Sequence, residues 1–483
     1  MPVLLITDVF IFALLLLAVY YGFKVARQPH LRGNWALIFQ RPSAMVSALI
    51  LGVFVLLAVL DSLHYRPALQ AIAGQETRYA SDPVSVLDQI LKPLSDARER
   101  SYSAPLAAHG FRKESIERNG ATVRDYPRLQ FGGAHLSDPA GQLSDDIRQR
   151  SWGALGESLL YVLMALGVGI GVASRVQAQT WSETTRRLWR GDTHWPWRAL
   201  ALTVSLLTVV IFWLVQMSEV YHVFGTDRTG NSVLVFALKS VRTALVIGSL
   251  TTLVVLPLAL ALGITAGYLR GWVDEVIQYI YTLLASIPDV LLIAASVLLL
   301  QVFIDKNQGF FETGLERADA RLFFLCLILG ITSFTGLCRL VRGETLKLRE
   351  LEYIQSAKAF GVSTPRILRL HIMPNLMHLV LINTVMQFSG FVLAEAVLSY
   401  VGVGVDPKTA SFGVMINTAR MELAATPVVW WTLTTAFVFM LLIVLSANLL
   451  SDAVRDAFDP RMRLRASRKP QIASLPNASK VPV

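Results

Sequence analysis

Apolar residues gather in nine runs, separated by polar segments of very unequal length. The runs are Val3–Phe23, Met45–Leu60, Trp152–Ala173, Ala199–Met217, Val241–Tyr268, Val276–Phe303, Leu322–Leu340, Leu376–Leu398 and Val428–Leu450. A bilayer core of roughly 30 Å takes about 20 residues of helix. A backbone inside it must satisfy its own hydrogen bonds, so the pattern predicts an all-α integral membrane protein with about nine spans. The polar stretch 61–150 stands apart. It carries turn pairs such as Asp82-Pro83 and Asp138-Pro139 and reads as a small extracytoplasmic domain or elaborated loop.

Charge gives the runs a direction. The first run lacks a basic leader, contains Asp8 and is followed by Lys24, Arg27, Arg32 and Arg41, the reverse of a secretory signal. It is therefore expected to span with its N-terminus outside. Arg175, Arg186, Arg187, Arg190 and Arg198, interleaved with Trp181, Trp189, Trp195 and Trp197, read as an interfacial belt on the positive side. The tail residues Arg461, Arg463, Arg465, Arg468 and Lys469 place the C-terminus inside as well. Composition then changes near residue 197. The expected organisation is an N-terminal extension, 1–197, with three membrane helices and the outer segment 61–150, then a six-span core at 198–465 with a cytoplasmic loop at 341–375, and a polar tail at 466–483.

Composition removes several function classes. The chain is 54% hydrophobic and 16% charged, and its net charge of +10 sits mainly beside apolar runs, so a nucleic-acid partner is not expected. Cys326 and Cys338 are its two cysteines and belong to one apolar run, which argues against a disulfide scaffold or a zinc site. His109 and His135 lack a matched ligand set, and no metal is expected. The chain has no Gly-x-x-x-x-Gly-Lys-Ser/Thr motif for holding phosphates.

One polar island interrupts the second half. In residues 344–360, Leu346, Leu351, Ile354, Ala357 and Phe360 recur at helical spacing. Gly361 follows as a left-handed cap, Thr364-Pro365 as a helix start, and Pro374 as a stop, which predicts a short helical hairpin. Phe360 and Met373 are expected to pack. Spacing alone fits either a connector on the bilayer surface or a docking element for a soluble partner.

Gln355-Ser356-Ala357, Gly361 and His371-Ile-Met-Pro374-Asn375 resemble the loop signature of ATP-binding-cassette importer permeases. Three further stretches are similar to the dipeptide/oligopeptide permease family: Phe224-Gly-Thr-Asp227-Arg-Thr-Gly230, Ala394-Glu395 through Gly402-Val-Gly404, and Asn448 through Asp452, Arg455, Asp456 and Asp459-Pro460-Arg461. Gln355 and Ser356 stand where that family usually has Glu and Ala, and Asn231 and Ser232 where it usually has Arg-Asp. The resemblance covers 198–465 and leaves the first 197 residues outside.

The resemblance implies a transport subunit for di- or oligopeptides, not an enzyme, in the inner membrane of a bacterium. It further implies a second permease subunit forming a heterodimer, two ATP-binding subunits that carry ATP and Mg²⁺, and an extracytoplasmic substrate-binding protein, with no cofactor on this chain. Glu352, Gln355, Ser356, Ala357, Gly361, Arg366, Arg369 and Pro374 become candidates for contact with the ATPase. Asp227, Pro288 and Glu395 are pathway or structural candidates. An intramembrane carboxylate such as Glu395 fits a functional site or a helix-to-helix hydrogen bond, and Pro288-Asp289 fits a pathway kink or a helix break buried against neighbours. The rival readings are an ion-coupled secondary transporter, which requires inverted repeats and a charge relay, and a receptor with 61–150 as its sensor.

Overall fold

A computed structural model of the protein describes residues 1–69, 78–118, 121–176, 180–190, 195–311 and 313–458. The basic tail and Asp459-Pro460-Arg461 lie outside the described residues. The chain opens with α1 (Ile6–Arg27), α2 (Pro29–Phe39) and α3 (Pro42–Ser62). The segment expected to lie outside follows, with the short helices α4 (Val86–Ile90) and α5 (Lys92–Asp96). Its strands are few: β2 (His64–Tyr65) pairs antiparallel with both β1 (Pro2–Val3) and β3 (Val84–Ser85), and β4 (Glu114–Arg118) forms a hairpin with β5 (Ala121–Asp125). Helices α6 (Pro139–Val176), α7 (Trp181–Arg190) and α8 (Trp197–Ser218) lead to α9 (Val233–Leu269). The chain continues through α10 (Gly271–Ser286), α11 (Asp289–Lys306), α12 (Gly314–Ser333) and α13 (Thr335–Arg349). It closes with α14 (Glu352–Ala359), α15 (Thr364–Ile367), α16 (Met373–Val401), α17 (Phe412–Leu423) and α18 (Trp431–Phe458).

Among the described residues, seven helices are long and apolar enough to cross a membrane, and nine spans result when each of two bent pairs counts as one. The expected span Val276–Phe303 is not a continuous helix: α10 and α11 meet at 89°. Pro288 accounts for the break, because its ring disfavours the helical conformation in the residue before it, and Ile287 is extended at φ −88°, ψ 133°. The bend is exposed rather than buried against neighbours within this chain. The expected span Leu322–Leu340 likewise bends by 43° between α12 and α13.

Helix α9 is the axis of the fold. Its buried Val246, Ile247, Leu250 and Val255 share one core with Leu322, Leu325 and Leu329 of α12, Leu337 and Val341 of α13, and Leu376 of α16. Helix α3 packs on α9 and α18, so spans from before residue 197 lie directly against spans after it.

A buried ionic cluster fastens α1 to this axis. Arg242 of α9 reaches Asp8 Oδ1 at 2.6 Å, Thr7 Oγ1 at 2.7 Å, Ser62 Oγ at 3.1 Å and Asp319 Oδ1 at 3.4 Å. The Thr7 amide and hydroxyl both donate to Asp319, and His64 Nδ1 lies 2.8 Å from the second Asp8 oxygen. Asp8 is 0% and Arg242 8% exposed. Removing the cation from such a cluster leaves carboxylates buried without compensation, which costs about 3–5 kcal/mol. Arg242→Met is therefore expected to lower the thermal unfolding midpoint of the detergent-solubilised protein sharply, and adding Asp8→Asn to recover part of the loss. An unchanged midpoint in Arg242→Met would show that the cluster contributes no net stability.

Candidate functional site

The island at 350–375 is built differently from a two-helix hairpin. The expected helix 344–360 is two helices, because the chain bends out of helix at Leu351, whose ψ is 139°, between α13 and α14. Gly361 turns the chain with φ +76°, a conformation that costs a residue without a Cβ nothing. The following helix starts one residue earlier than expected, with Ser363 at the N-cap and Pro365 in the first turn. Pro374 does not stop it. Residues Leu368–Ile372 form a wide π turn and the helix runs on as α16. A proline in an α-helix lacks an N–H and presses on the carbonyl four residues back, and the wider turn relieves both. The Asn375 amide donates to the His371 carbonyl at 2.6 Å and to the Tyr353 hydroxyl at 3.1 Å, tying α14 to the start of α16.

The loop has a buried back and an open front. Ile354, Ile367 and Ile372 are buried against the helical core, each contributing about 1.5–3 kcal/mol by leaving water. Facing outward are Glu352, Gln355, Ser356, Gly361, Arg366, Arg369 and Pro374, with Ala357 half-buried. Phe360 departs from the expected buried stripe and is 87% exposed, and Met373 is exposed too. The reason is register: α14 ends at Ala359, so Phe360 belongs to the turn rather than to the helix face of Ile354. Gln355 donates to the backbone and side-chain oxygens of Glu350 at 3.4 and 3.3 Å, and Glu350 pairs with Arg270 at 2.7 Å. The root of the loop is held by Arg349, which donates to the Tyr268 carbonyl at 2.6 Å, and by Arg342, which clasps Asp274 at 2.6 and 2.7 Å.

The other candidates are scattered. Pro288 marks the exposed bend between α10 and α11. Glu395 is buried near the end of α16, where it accepts a hydrogen bond from Ser399 at 2.7 Å. Gly413 comes so close that a Cβ there would lie 2.7 Å from the Glu395 carboxylate and 2.5 Å from the Ser399 side chain. That packing makes Glu395 a fastener between α16 and α17. Asp227 is also a local fastener, accepting from the Thr229 and Asn231 amides at 2.8 and 2.9 Å.

Residues 259–464 match the family described as the binding-protein-dependent transport system inner membrane component. Over 250 residues the chain is 30% identical to the oligopeptide transport system permease protein OppC of Mycobacterium tuberculosis, covering 52% of this chain and 79% of that protein. It is 30% identical over 300 residues to the glutathione transport system permease protein GsiD of Pectobacterium atrosepticum, covering 59% of this chain and 92% of that protein. With the dipeptide transport system permease protein DppC of Bacillus subtilis it shares 29% identity over 242 residues, or 50% and 69% of the two chains.

Outside the matched residues, the loop 224–230 carries a set of contacts that sequence reasoning missed. Gly230 has φ +79°, and a Cβ on it would fall 1.9 Å from the Glu99 carbonyl. Thr226 Oγ1 bridges Ser101 and Ser103, and Trp431 donates to the Thr226 carbonyl at 3.0 Å. Glu99 accepts from the consecutive amides of Gln130, Phe131 and Gly132 at 2.8, 2.8 and 3.1 Å, with His222 Nε2 at an ion-pair distance of 3.6 Å. Gly225, Thr226, Asp227 and Gly230 are visible as a motif, but their partners Glu99, Ser101, Ser103 and Trp431 are not.

Burial alone would raise the Glu99 pKa, but His222 and the three amides outweigh it and hold the carboxyl at about 2, below an ordinary 4.5. A depressed carboxyl pKa stabilises the fold fully above the unfolded value and loses that contribution as pH falls toward the folded one. The contribution is about 3 kcal/mol near neutrality and disappears between about pH 4.5 and 2. Glu99→Gln is expected to speed hydrogen exchange at the Gln130, Phe131 and Gly132 amides about a hundredfold at neutral pH, and to flatten the acid dependence of stability in that window. Equal exchange in both proteins would remove Glu99 from this role.

Proposed function

Because the chain belongs to the binding-protein-dependent transport system inner membrane component family, as a multi-pass inner-membrane permease subunit of an ABC importer and not an enzyme, we propose that it forms half of a translocation pathway for di- or oligopeptides, driven through the loop around Gly361. The observation that carries this reading is the division of that loop into an anchored back and an open front. An aromatic side chain left 87% exposed at a turn, on a loop whose exposed Glu352, Lys358, Arg366 and Arg369 have no ion-pair partner among the described residues, suits an aromatic anchor with a charged rim.

In this reading the loop faces the cytoplasm, the N-terminus lies outside and the C-terminus inside. Two ATP-binding subunits carry the nucleotide and Mg²⁺, a second permease completes the pathway as a heterodimer, and an extracytoplasmic binding protein delivers cargo. ATP binds the closed ATPase pair better than the open one, and this difference biases the spans between outward-open and inward-open states through a rigid contact. Relatives named for oligopeptide, dipeptide and glutathione transport support a peptide-like cargo. The location of the buried charges supports an importer over an ion-coupled transporter. Asp8, Arg242, Asp319 and His64 gather at one end of α1 and α9 instead of crossing the bilayer as a relay.

Truncating an interface anchor typically costs about 2 kcal/mol or more. Phe360→Ala is thus expected to reduce ATPase co-purification with the tagged chain at least about tenfold, and uptake of a labelled dipeptide with it. Gly361→Pro should do the same by closing the left-handed conformation. If both variants retain ATPase and transport, the docking assignment is wrong. If ATPase binding falls while dipeptides never compete with the native cargo, only the peptide assignment fails.

A further inference from the structure

Helix α7 stands outside both the core and the coupling loop. Its ten residues, Trp181–Arg190, join α6, which runs away from the outer segment, to α8, which returns to it, so α7 lies at the membrane surface on the end opposite that segment. One side leans on the protein: the Trp181 ring lies against Gly167 and Gly171 of α6, and Leu188 is half-buried. The other side presents Arg186, Arg187 and Arg190, which with Glu183 form one exposed, basic face of the helix at i, i+3, i+4 and i+7 spacing. Thr180 donates to the Glu183 carboxylate at 3.1 Å, and the three guanidinium groups have no ion-pair partner among the described residues. Trp189 is 75% exposed beside them.

We propose that this basic face binds the phosphate headgroup of an anionic phospholipid, with Trp189 seated among the headgroups. The argument is charge complementarity at a forced depth. Three cations without an ion-pair partner among the described residues, against one carboxylate, attract an anion, and a short link between two spans holds them where lipid phosphates lie. The planar guanidinium fork suits a phosphate better than an ammonium does. The tryptophan is an amphipathic ring of the type that settles at the interface.

The test uses the full-length chain in phosphatidylcholine nanodiscs into which phosphatidylglycerol is titrated, with bound lipid read by mass spectrometry after re-extraction. Wild type is expected to retain phosphatidylglycerol above its bulk fraction. Each of Arg186→Gln, Arg187→Gln and Arg190→Gln should weaken that affinity roughly fivefold, and the triple variant roughly a hundredfold. The triple Arg→Lys variant, which keeps the charge and loses the fork, should fall between wild type and the triple Gln variant, and Arg148→Gln, at the opposite end of α6, should keep all of it. The single variants carry the test if the triple variant does not fold. Absence of enrichment in wild type, or equal enrichment in the triple variant, overturns the proposal. Displacement of the lipid by inorganic phosphate at millimolar concentration also overturns it, by making the site one for soluble phosphate.

Discussion

The contact on which the architecture turns is Arg242 with its carboxylates. Moving a guanidinium and two aspartates out of water is expensive, and their mutual attraction repays the cost only when every remaining donor and acceptor is used. Here the Thr7 amide and hydroxyl, the Ser62 hydroxyl and His64 add hydrogen bonds to both carboxylates and to the guanidinium Nε and Nη2. The arrangement exists only if the starts of α1 and α12, the end of α3 and the third turn of α9 meet at one depth. An apolar contact would tolerate sliding of α1 along the core. A buried, directional ionic cluster fixes its register.

That constraint joins α1 and α3 to the helices after residue 197 as one packed body. The same joining recurs around the molecule. Lys239 of α9 pairs with Asp88 of α4 at 2.6 Å, Arg41 before α3 pairs with Asp456 of α18, and Glu99 of the outer segment meets Gly230 before α9. The loop between α8 and α9 therefore carries the outer segment on its surface. Within that loop Asn231 donates its backbone amide to Asp227 at 2.9 Å and its side-chain amide at 3.5 Å, so the turn is closed by charge-assisted hydrogen bonds to one carboxylate.

The spans were legible because a bilayer demands long apolar runs, and Pro288 announced its break through a rule that acts on adjacent residues. The glycine at 361 was legible for the same local reason. The ionic cluster was not. Asp8 entered the sequence reading only as evidence against a signal peptide, since a carboxylate in an apolar run shows neither its cation nor the distance to it, and its partners lie 234 and 56 residues away along the chain. Phe360 misled for a subtler reason: helical spacing predicts a face only while the helix lasts, and the helix ends one residue before it. Pro374 misled because helix-stopping rules assume α geometry, which the π turn abandons.

The π turn gives the proposed coupling a mechanical basis. Had Pro374 ended the helix, the turn at Gly361 would hang on a flexible link, and displacement of its exposed face would dissipate there. Instead the chain is helical from Thr364 to Val401. At about 1.5 Å per residue, the 29 residues of α16 alone extend roughly 43 Å. The far end of that rod is pinned by Glu395, Ser399 and the close approach of Gly413, so α17 must follow it. Tyr353 and Asn375 clamp the near end to α14. A load applied at Phe360 thus enters a clamped rod whose other end is knotted to the outer helices. In this geometry the Glu395 carboxylate, held by Ser399 and covered by Gly413, keeps the end of the rod from slipping along α17.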